Sequence, residues 1–220
     1  MIEFAGKQIP NTLAEIVEPS RTALLIWDME YAIGPNAFNY KDMLPKLQGL
    51  AVLARSVGAR VFYSVQTGFD IAKEEAGVWV RIRMKRAKTT DPQKLLHEKE
   101  DPHDREIITE LKPQPQDIIF QKRRPDGFVG TDLDLMLRSN GIKTVVVGGC
   151  TTEGCVESTA RDAMFNDFYV VIAEDCVASD DRAQHEASML LMRHRFDIAA
   201  GDEIGRLWHA RPPGRTGARG

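Results

Sequence analysis

Residues 144–157 read TVVVGGCTTEGCVE, and this run says more about the architecture than any other part of the chain. Thr144 to Val147 has the continuous apolar character of a buried strand, and Ser158 to Met164 has the pattern of a helix. A turn rich in glycine and threonine lies between them and ends on a cysteine. In an α/β protein this order places Cys155 at a helix N-terminus, on the sheet edge where ligands bind. Backbone N–H groups and the helix dipole there favour a thiolate and can hold an oxyanion, so Cys155 is a candidate nucleophile.

Strand-like runs alternate with helical patterns along the rest of the chain, which predicts βαβ units and an α/β fold with a parallel sheet. The predicted strands are residues 23–27, 60–65, 117–120, 143–147, 168–173 and a short 198–199. The predicted helices are residues 44–54, 131–141, 158–164, a long helix to about Arg195, and 203–208. Gly58 is expected at the C-cap of the first, and Thr131 and Asp134 are expected to form a capping box in the second. The long helix is expected to begin at a Ser179 or Asp180 cap and to carry Ala183, Ala187, Leu190 and His194 on one face.

The length of 220 residues fits one domain, which we place at residues 1–210. Residues 67–105 are highly charged and long for a connection, so a lid or a subunit interface element is expected there. The tail, residues 211–220, is rich in Arg, Gly and Pro and is expected to be disordered.

Composition excludes several classes of function. A formal net charge of −3 and a pI near 6.0 do not indicate a nucleic-acid or acidic-membrane partner. No apolar run approaches the roughly 18 residues of a membrane span, and the N-terminus lacks a signal pattern, so a cytoplasmic location is expected. The three cysteines form no disulfide framework, and Cys150 and Cys176 are expected to be small buried residues.

Polar residues follow three of the predicted strands. Asp28 follows the first, Lys122 the third, and Cys155 the fourth. Taken alone, Asp28 could cap a turn and Lys122 could be a solvated loop lysine, but parallel strands bring their carboxyl ends to one edge. Asp28 can take the thiol proton and Lys122 can stabilise both anions. The histidines do not offer an alternative base, since none stands at a strand end: His97, His103, His185, His194 and His209.

These blocks resemble the isochorismatase-like cysteine hydrolases, which include isochorismatases, nicotinamidases, N-carbamoylsarcosine amidohydrolases and ureidoacrylate amidohydrolases. ALLIWDM, residues 23–29, is similar to the block with the catalytic Asp, and residues 122–133 are similar to the block with the catalytic Lys. Residues 149–163 are similar to the nucleophile block. The blocks follow the family order and span residues 22 to about 180.

The resemblance implies a three-layer α/β/α fold with six parallel strands in the order 3-2-1-4-5-6. It also implies a cis peptide bond at Cys150-Thr151, and an oxyanion hole formed by the backbone N–H groups of Thr151 and Cys155. Members of the family form homo-oligomers, so a dimer or tetramer is expected.

Departures from the family pattern bear on the substrate. Glu30 stands where Gln is usual, and Asp126-Gly127 replaces a Ser-Ala pair. Nicotinamidases hold a metal with histidines after the second strand, whereas residues 66–70 here are QTGFD. We therefore expect no metal and no cofactor.

The sequence thus predicts a hydrolase of carbon–nitrogen bonds other than peptide bonds, acting on a small amide, carbamoyl or ureido compound through a thioester-type intermediate. The alternatives are vinyl-ether hydrolysis of the isochorismatase type and a non-catalytic binding protein of the same fold. Arg81, Arg83, Arg123 and Arg124 either hold a substrate carboxylate or form a solvated charged face. The candidate substrate-binding residues are Glu30, Tyr31, Phe38, Gln66, Phe128 and Thr152.

Overall fold

The structure is a computed structural model that describes residues 1–97 and 101–210; the predicted tail, residues 211–220, lies outside the described residues. The strands are β1 (Ile2–Phe4), β2 (Lys7–Ile9), β3 (Thr22–Trp27), β4 (Arg60–Gln66), β5 (Ile118–Lys122), β6 (Thr144–Cys150), β7 (Tyr169–Ala178) and β8 (Asp197–Ala199). The α-helices are α1 (Leu13–Ile16), α2 (Tyr40–Ser56), α3 (Gly77–Arg86), α4 (Leu133–Ser139), α5 (Glu157–Phe165), α6 (Arg182–Arg193) and α7 (Gly201–His209). Within the two described ranges, no helix has both the length and the apolar character needed to cross a membrane.

Six strands form one parallel sheet in the order β5-β4-β3-β6-β7-β8. Numbered among themselves these strands have the order 3-2-1-4-5-6, which confirms the predicted topology. The chain builds one half of the sheet outward from β3 and then returns to build the other half from β6. The strand order therefore reverses between β3 and β6, the kind of point where α/β sheets bind ligands at their carboxyl edge.

Helices cover both faces of the sheet. α2 and α7 pack on one face, where β3 contributes Leu24 and Ile26. α4, α5 and α6 cover the other face, where β3 contributes Ala23, Leu25 and Trp27. Successive side chains of a strand point to opposite faces, so every residue of β3 is buried. Burial on both faces is the reason that an unbroken apolar run marks this inner strand.

β6 and β7 run further than the apolar pattern predicts. β6 continues past Val147 to Cys150, because Gly149 still pairs with Trp27 of β3. Gly149 has a φ of 107°, and a Cβ atom there would overlap the main chain of Trp27. Glycine is the residue that permits this close approach. β7 extends to Ala178 after a register shift against β6.

The start of α4 corrects a predicted cap. The helix begins at Leu133 rather than at Thr131. The Thr131 hydroxyl accepts a hydrogen bond from the Leu133 backbone N–H at 3.1 Å, so it does not form the predicted capping box. Asp134 pairs instead with Arg138 one turn later.

The cap and the buried face of α6 also differ from the prediction. Asp181, and not Ser179 or Asp180, caps the helix, because its carboxylate accepts from the backbone N–H of Gln184. The helix ends at Arg193. Its buried residues are Ser188, Met189 and Met192, whereas Leu190 is 72% exposed and the face predicted from Ala183, Ala187, Leu190 and His194 does not face the core. The two methionines bring more apolar area to the sheet than the alanines would.

Residues 67–117, here named the β4–β5 connection, include the insertion predicted at residues 67–105. The described part holds α3 and short 3₁₀ turns at Pro92–His97, Pro102–Arg105 and Thr109–Leu111. Near its start, the Gly68 carbonyl accepts a hydrogen bond from Arg123, just after β5. Further on, Asp104 and Glu106 accept backbone hydrogen bonds from residues 31 and 32, just after β3. The connection therefore borders the carboxyl edge of the sheet on two sides.

The pairing of β1 with β2 was not predicted. These two three-residue strands form a separate antiparallel hairpin, and all six of their residues are exposed. Strands this short leave little periodicity for a sequence pattern to reveal.

Candidate active site

Four strands bring polar side chains together at the carboxyl edge of the sheet. Asp28 directly follows β3, Lys122 ends β5, Ser64 lies near the end of β4, and Cys155 lies in the turn after β6. Asp28, Ser64 and Lys122 are buried, and Cys155 is partly exposed. The three residues predicted to carry the chemistry therefore meet at one point, joined by a serine that was not predicted.

The Asp28 carboxylate is held at both oxygens. Its Oδ1 accepts from the Ser64 hydroxyl at 2.7 Å, and its Oδ2 accepts from Lys122 Nζ at 2.7 Å. The backbone N–H of Asp28 donates to Ser64 Oγ at 3.0 Å. Its φ of 47° lies in the left-handed region, which Asp adopts more readily than most residues. The chain thus turns sharply at the end of β3, and the carboxylate is fixed beside Cys155.

The Lys122 ammonium has three protons and three acceptors. Nζ lies 2.7 Å from Asp28 Oδ2, 3.2 Å from the Arg124 carbonyl oxygen and 3.5 Å from Cys155 Sγ. Burial opposes the charged form, but the negative charge of Asp28 and the hydrogen bonds to Asp28 and Cys155 outweigh it, and the pKa of Lys122 is raised. Lys122 is therefore a buried cation that links the carboxylate to the sulfur.

Cys155 lies in one π-helical turn, Thr152–Val156, immediately before α5. Burial and the negative charge of Asp28 raise the pKa of the Cys155 thiol to about 12, although Lys122 and the Thr151 N–H act in the opposite direction. The expectation of a favoured thiolate is therefore wrong, because desolvation exceeds the local stabilisation of the anion. The thiol holds its proton at neutral pH and needs a base, and Lys122 Nζ, which lies 3.5 Å from Cys155 Sγ and 2.7 Å from Asp28 Oδ2, marks Asp28 as the carboxylate beside it.

The backbone before the nucleophile matches what the resemblance implies. The peptide bond Cys150-Thr151 is cis. The Thr151 N–H acts to lower the pKa of the Cys155 thiol. Cys150 itself is buried, as is Cys176, in agreement with their predicted place in the core.

Thr152 holds the nucleophile turn instead of facing a substrate. Its buried hydroxyl donates to the Ala178 carbonyl at 3.0 Å and accepts from His185 Nδ1 at 2.8 Å. The Ser188 hydroxyl approaches the Thr152 carbonyl at 3.4 Å. The predicted substrate contact of Thr152 is therefore corrected, since both of its polar atoms bind β7 or α6.

Thr159 of α5 fastens the nucleophile turn to two other elements. Its hydroxyl accepts from Trp27 Nε1 at 2.7 Å and from the Gly127 backbone N–H at 3.0 Å. Trp27 Nε1 also donates to the Cys155 carbonyl at 3.0 Å. A Cβ atom on Gly127 would lie 2.5 Å from Trp27 Cζ2. The family departure at Gly127 therefore makes room for the ring of Trp27.

Glu30 is buried, and only one of its two carboxyl oxygens has a hydrogen-bond partner among the described residues. Its Oε1 accepts from the Gln66 backbone N–H at 2.5 Å, and its Oε2 has no hydrogen-bond partner among the described residues. Burial raises the pKa of Glu30 to about 7, and the negative charge of Asp28 adds to this effect. The hydrogen bond from the Gln66 N–H and the positive charges of Arg105 and Lys122 lower the pKa, but by less. The carboxyl group joins the end of β4 to the start of the loop after β3, and it exchanges a proton near neutral pH.

Asp126, the other acidic departure, lies beside Asp162 of α5 and accepts from the Phe128 backbone N–H at 2.9 Å. Burial raises the pKa of Asp126 to about 6, and Asp162 adds to the effect by its charge and a side-chain hydrogen bond.

Two other substrate-binding candidates are occupied by contacts within the protein. The Tyr31 hydroxyl lies 2.6 Å from Thr109 Oγ1, and its ring stacks on His103 at 4.1 Å. The ring of Phe128 packs 6.2 Å from Phe168, which precedes β7 and lies toward the opposite edge of the sheet. Tyr31 therefore holds the β4–β5 connection, and the partly buried Phe128 packs against the core on its Phe168 side.

Gln66 and Phe38 remain at the carboxyl edge. Gln66 pairs with Lys122 in the sheet register, so the two side chains share one face. The Phe38 ring meets His185 at 5.4 Å and lies under Arg182 at 4.3 Å. These positions keep both residues as candidates for substrate contact.

A signal for Ser64 existed in the sequence. It is the one serine or threonine in the run Val61 to Val65, and it shares a face with Phe62 under the alternation of a strand. A buried hydroxyl at that place needs a partner. The partner, Asp28, is adjacent only because β3 and β4 are neighbours in the sheet.

Metal binding finds no support in the arrangement of side chains. Across residues 1–97 and 101–210, no group of three or more His, Cys, Asp or Glu residues is placed to hold a metal ion. Residues 66–70, which follow β4, contribute no histidine. His185 and His103 bind Thr152 and Tyr31, respectively.

Comparisons with known proteins agree with this geometry. Residues 22–202 match the isochorismatase domain. The chain is 35% identical over 178 residues to ureidoacrylate amidohydrolase RutB of Caulobacter segnis, covering 72% of this chain and 73% of the relative. RutB of Acinetobacter baylyi is 34% identical over 195 residues, covering 81% and 79%. A cysteine hydrolase from Pseudomonas syringae superposes with a TM-score of 0.73 at 25% identity, covering 89% and 95%. N-carbamoylsarcosine amidase from Thermoplasma acidophilum superposes with a TM-score of 0.63 at 25% identity, covering 83% and 97%.

The matched region contains β3 to β8 and all four site residues. The similarities confirm the resemblance read from the three blocks, and they support a hydrolase acting on carbon–nitrogen bonds rather than a non-catalytic binding protein. The chain belongs to the isochorismatase family.

Proposed function

We propose that the protein hydrolyses a carbon–nitrogen bond of a small amide, carbamoyl or ureido compound, with Cys155 as the nucleophile. The observation that carries the proposal is the placement of one buried ammonium, Lys122 Nζ, 2.7 Å from Asp28 Oδ2 and 3.5 Å from Cys155 Sγ. The names of the relatives, ureidoacrylate amidohydrolase and N-carbamoylsarcosine amidase, support this substrate class.

The first half of the reaction forms the covalent intermediate. Asp28 takes the thiol proton while the Cys155 sulfur attacks the substrate carbonyl carbon. The oxyanion that forms accepts hydrogen bonds from the backbone N–H groups of Thr151 and Cys155. Asp28 then gives the proton to the leaving nitrogen, ammonia or an amine departs, and a thioester or thiocarbamate remains on Cys155.

The second half releases the product. Asp28 takes a proton from water, whose oxygen attacks the acyl carbon, and the carbon–sulfur bond breaks. The proton returns to the sulfur, so the protein ends as it began. Lys122 stays protonated throughout, since it stabilises whichever of Asp28 and Cys155 carries the negative charge.

The proposal is tested with a panel of small amides and ureido acids and an assay for released ammonia. Cys155→Ala is expected to lower turnover by at least about a thousandfold, because it removes the sulfur that forms the acyl bond. Cys176→Ala is the matched control, since it removes a thiol that is buried away from the site in β7, and it is expected to stay within about twofold of the wild type. Equal ammonia release from wild type and Cys155→Ala would contradict the proposal.

Vinyl-ether hydrolysis of the isochorismatase type can be distinguished from the proposed reaction by its intermediate. That reaction forms no thioester, whereas the proposed one adds an acyl mass to Cys155. Intact mass spectrometry of a rapidly acid-quenched reaction reports the adduct. Turnover of a vinyl ether without any adduct would favour the alternative.

Cofactor independence is part of the proposal and has its own test. Activity is expected to persist after exhaustive dialysis against a chelator, because Lys122 already supplies the positive charge of the site. Loss of activity that zinc restores would show that a metal takes part.

A further inference from the structure

Arg124 contacts the catalytic lysine and the β4–β5 connection through two different groups. Its main-chain carbonyl accepts a hydrogen bond from Lys122 Nζ at 3.2 Å. Its guanidinium binds Glu75 through two bonds, with Nη2–Oε1 at 3.0 Å and Nη1–Oε2 at 3.4 Å. The guanidinium also lies over the ring of Trp79 at 4.7 Å and that of Phe69 at 5.0 Å. One residue therefore joins the ammonium of the site to the segment that borders it.

Burial makes the ion pair with Glu75 costly to break. The Glu75 side chain is 2% exposed and the Arg124 side chain is 19% exposed. Removing one partner of such a pair leaves an uncompensated charge away from water, which is strongly destabilising. The local structure of residues 69–79 therefore depends on Arg124.

Arg123 offers a comparison within the same loop. Its guanidinium also lies over Phe69, at 4.4 Å, and donates to the Gly68 carbonyl at 2.9 Å. Its side chain is exposed, and no ion pair involves it in the described residues. Arg123 thus shares the ring contact of Arg124 but not the buried ion pair.

The Arg124 carbonyl matters because the Lys122 ammonium has three protons and needs three hydrogen-bond acceptors. Two of the three ammonium protons point to Asp28 Oδ2 and Cys155 Sγ, and the third has the Arg124 carbonyl as its acceptor. A third fixed acceptor stops the ammonium from rotating away from the carboxylate and the sulfur. The backbone at Arg124 is in turn held by the side chain of the same residue.

We propose that Arg124 is a positioning residue that couples the closed β4–β5 connection to the orientation of the Lys122 ammonium. The inference rests on the proposed function in giving Lys122 a catalytic role. When Glu75 and Trp79 hold Arg124, its carbonyl fixes Lys122 between Asp28 and Cys155. When the connection detaches, the loop after β5 loses its anchor and the ammonium loses its third acceptor.

The first test needs no substrate. Lys122 is acetylated with acetic anhydride and its modification is followed by peptide mass spectrometry. In the wild type an ion-paired ammonium is protected. Arg124→Met and Glu75→Gln are each expected to speed acetylation of Lys122 about fivefold or more, because local opening exposes the amine, with Arg123→Met within about twofold as the control.

The second test distinguishes an effect on the position of the Lys122 ammonium from an effect on substrate binding alone. With a turned-over member of the amide and ureido panel, Arg124→Met is expected to lower kcat about tenfold while KM changes less than about threefold, the mark of an interaction that serves the transition state. Arg124→Lys keeps the positive charge but loses the bidentate ion pair with Glu75, and its kcat is expected to lie between those of Arg124→Met and the wild type.

Unchanged acetylation of Lys122 in both Arg124→Met and Glu75→Gln overturns the inference. An increase in KM with kcat unchanged also overturns it, because the connection would then act on binding alone. If the wild type hydrolyses no compound of the panel, the proposed function fails, while the acetylation comparison still decides whether Arg124 positions Lys122.

Discussion

At the scale of single residues, the site depends on three groups whose charges are set by one another. Lys122 stays charged in a buried position because Asp28 and Cys155 attract its proton more strongly than burial repels it. Cys155 keeps its proton because burial and Asp28 outweigh Lys122. The resting site therefore holds one ion pair and one neutral thiol. Its nucleophile must be generated by proton transfer to Asp28, so the contact between these two residues is as necessary as the thiol itself.

Glu30 gives a prediction about stability against pH. Its pKa is raised from near 4.5 to about 7, so the folded protein holds a proton there that the unfolded chain releases. Stability from this proton is complete below about pH 4.5 and is lost as pH rises to about 7, by roughly 3 kcal/mol. Glu30→Gln cannot titrate at this position, so it does not lose this stability as the pH rises. The free energy of unfolding of Glu30→Gln minus that of the wild type is therefore expected to increase by that amount between pH 4.5 and pH 8.

Urea denaturation of both proteins at several pH values measures the difference. Asp126→Asn serves as a comparison, because the raised pKa of Asp126, about 6, gives the same sign but a window that closes at a lower pH. A difference between Glu30→Gln and wild type that is constant with pH would contradict the assignment of the raised pKa to Glu30.

At the scale of elements, the nucleophile turn is fixed from three directions. Thr159 of α5 ties it to the end of β3 and to the loop after β5, through Trp27 and Gly127. The Thr152 hydroxyl ties the turn to the end of β7 through the Ala178 carbonyl and to α6 through His185. Buried side chains with satisfied hydrogen bonds hold a single arrangement of this kind. The position of Cys155 is therefore a property of the packed elements and not of the turn alone.

Gly127 tests this packing. An added Cβ atom would lie 2.5 Å from Trp27 Cζ2 and 3.0 Å from Leu133 Cδ2. Gly127→Ala is therefore expected to displace the indole, lower the free energy of unfolding by about 1–3 kcal/mol and reduce turnover. Gly49→Ala is the matched control, because Gly49 is exposed in α2 with no atom within 4 Å of the new Cβ.

The control is expected to be neutral or up to about 1 kcal/mol more stable, as a helical glycine replaced by alanine usually is. Thermal and urea unfolding of the two variants give the comparison. If Gly127→Ala unfolds like the wild type, Trp27 has room to move and does not constrain the turn.

At the scale of the whole molecule, the parallel sheet is complete without the N-terminal hairpin. β1 and β2 pair only with each other, and their apolar side chains Ile2, Phe4 and Ile9 are exposed. A lone two-stranded hairpin has little stability of its own. Homo-oligomer formation and a cytoplasmic location remain predictions.

Deletion of residues 2–10 tests the contribution of the hairpin. The core strands and helices lose little buried area, so Tm is expected to change by less than about 3 °C. Differential scanning calorimetry measures the change, and static light scattering of both proteins gives the number of subunits. A larger fall in Tm together with a loss of subunits would place the hairpin in a contact between copies of the chain.

The sequence by itself determined the fold class, the sheet order through its family resemblance, and the three residues that meet at the carboxyl edge. These features are local: Asp28, Lys122 and Cys155 each stand at or just after the end of an apolar strand, and parallel strands carry their ends to one edge. The tertiary structure decided the rest. Ser64 and Arg124 act through neighbours that only strand order and loop packing supply. The protonation of Cys155 depends on how deeply the thiol is buried beside Asp28, and desolvation is a sum over the whole surrounding fold that no short pattern encodes.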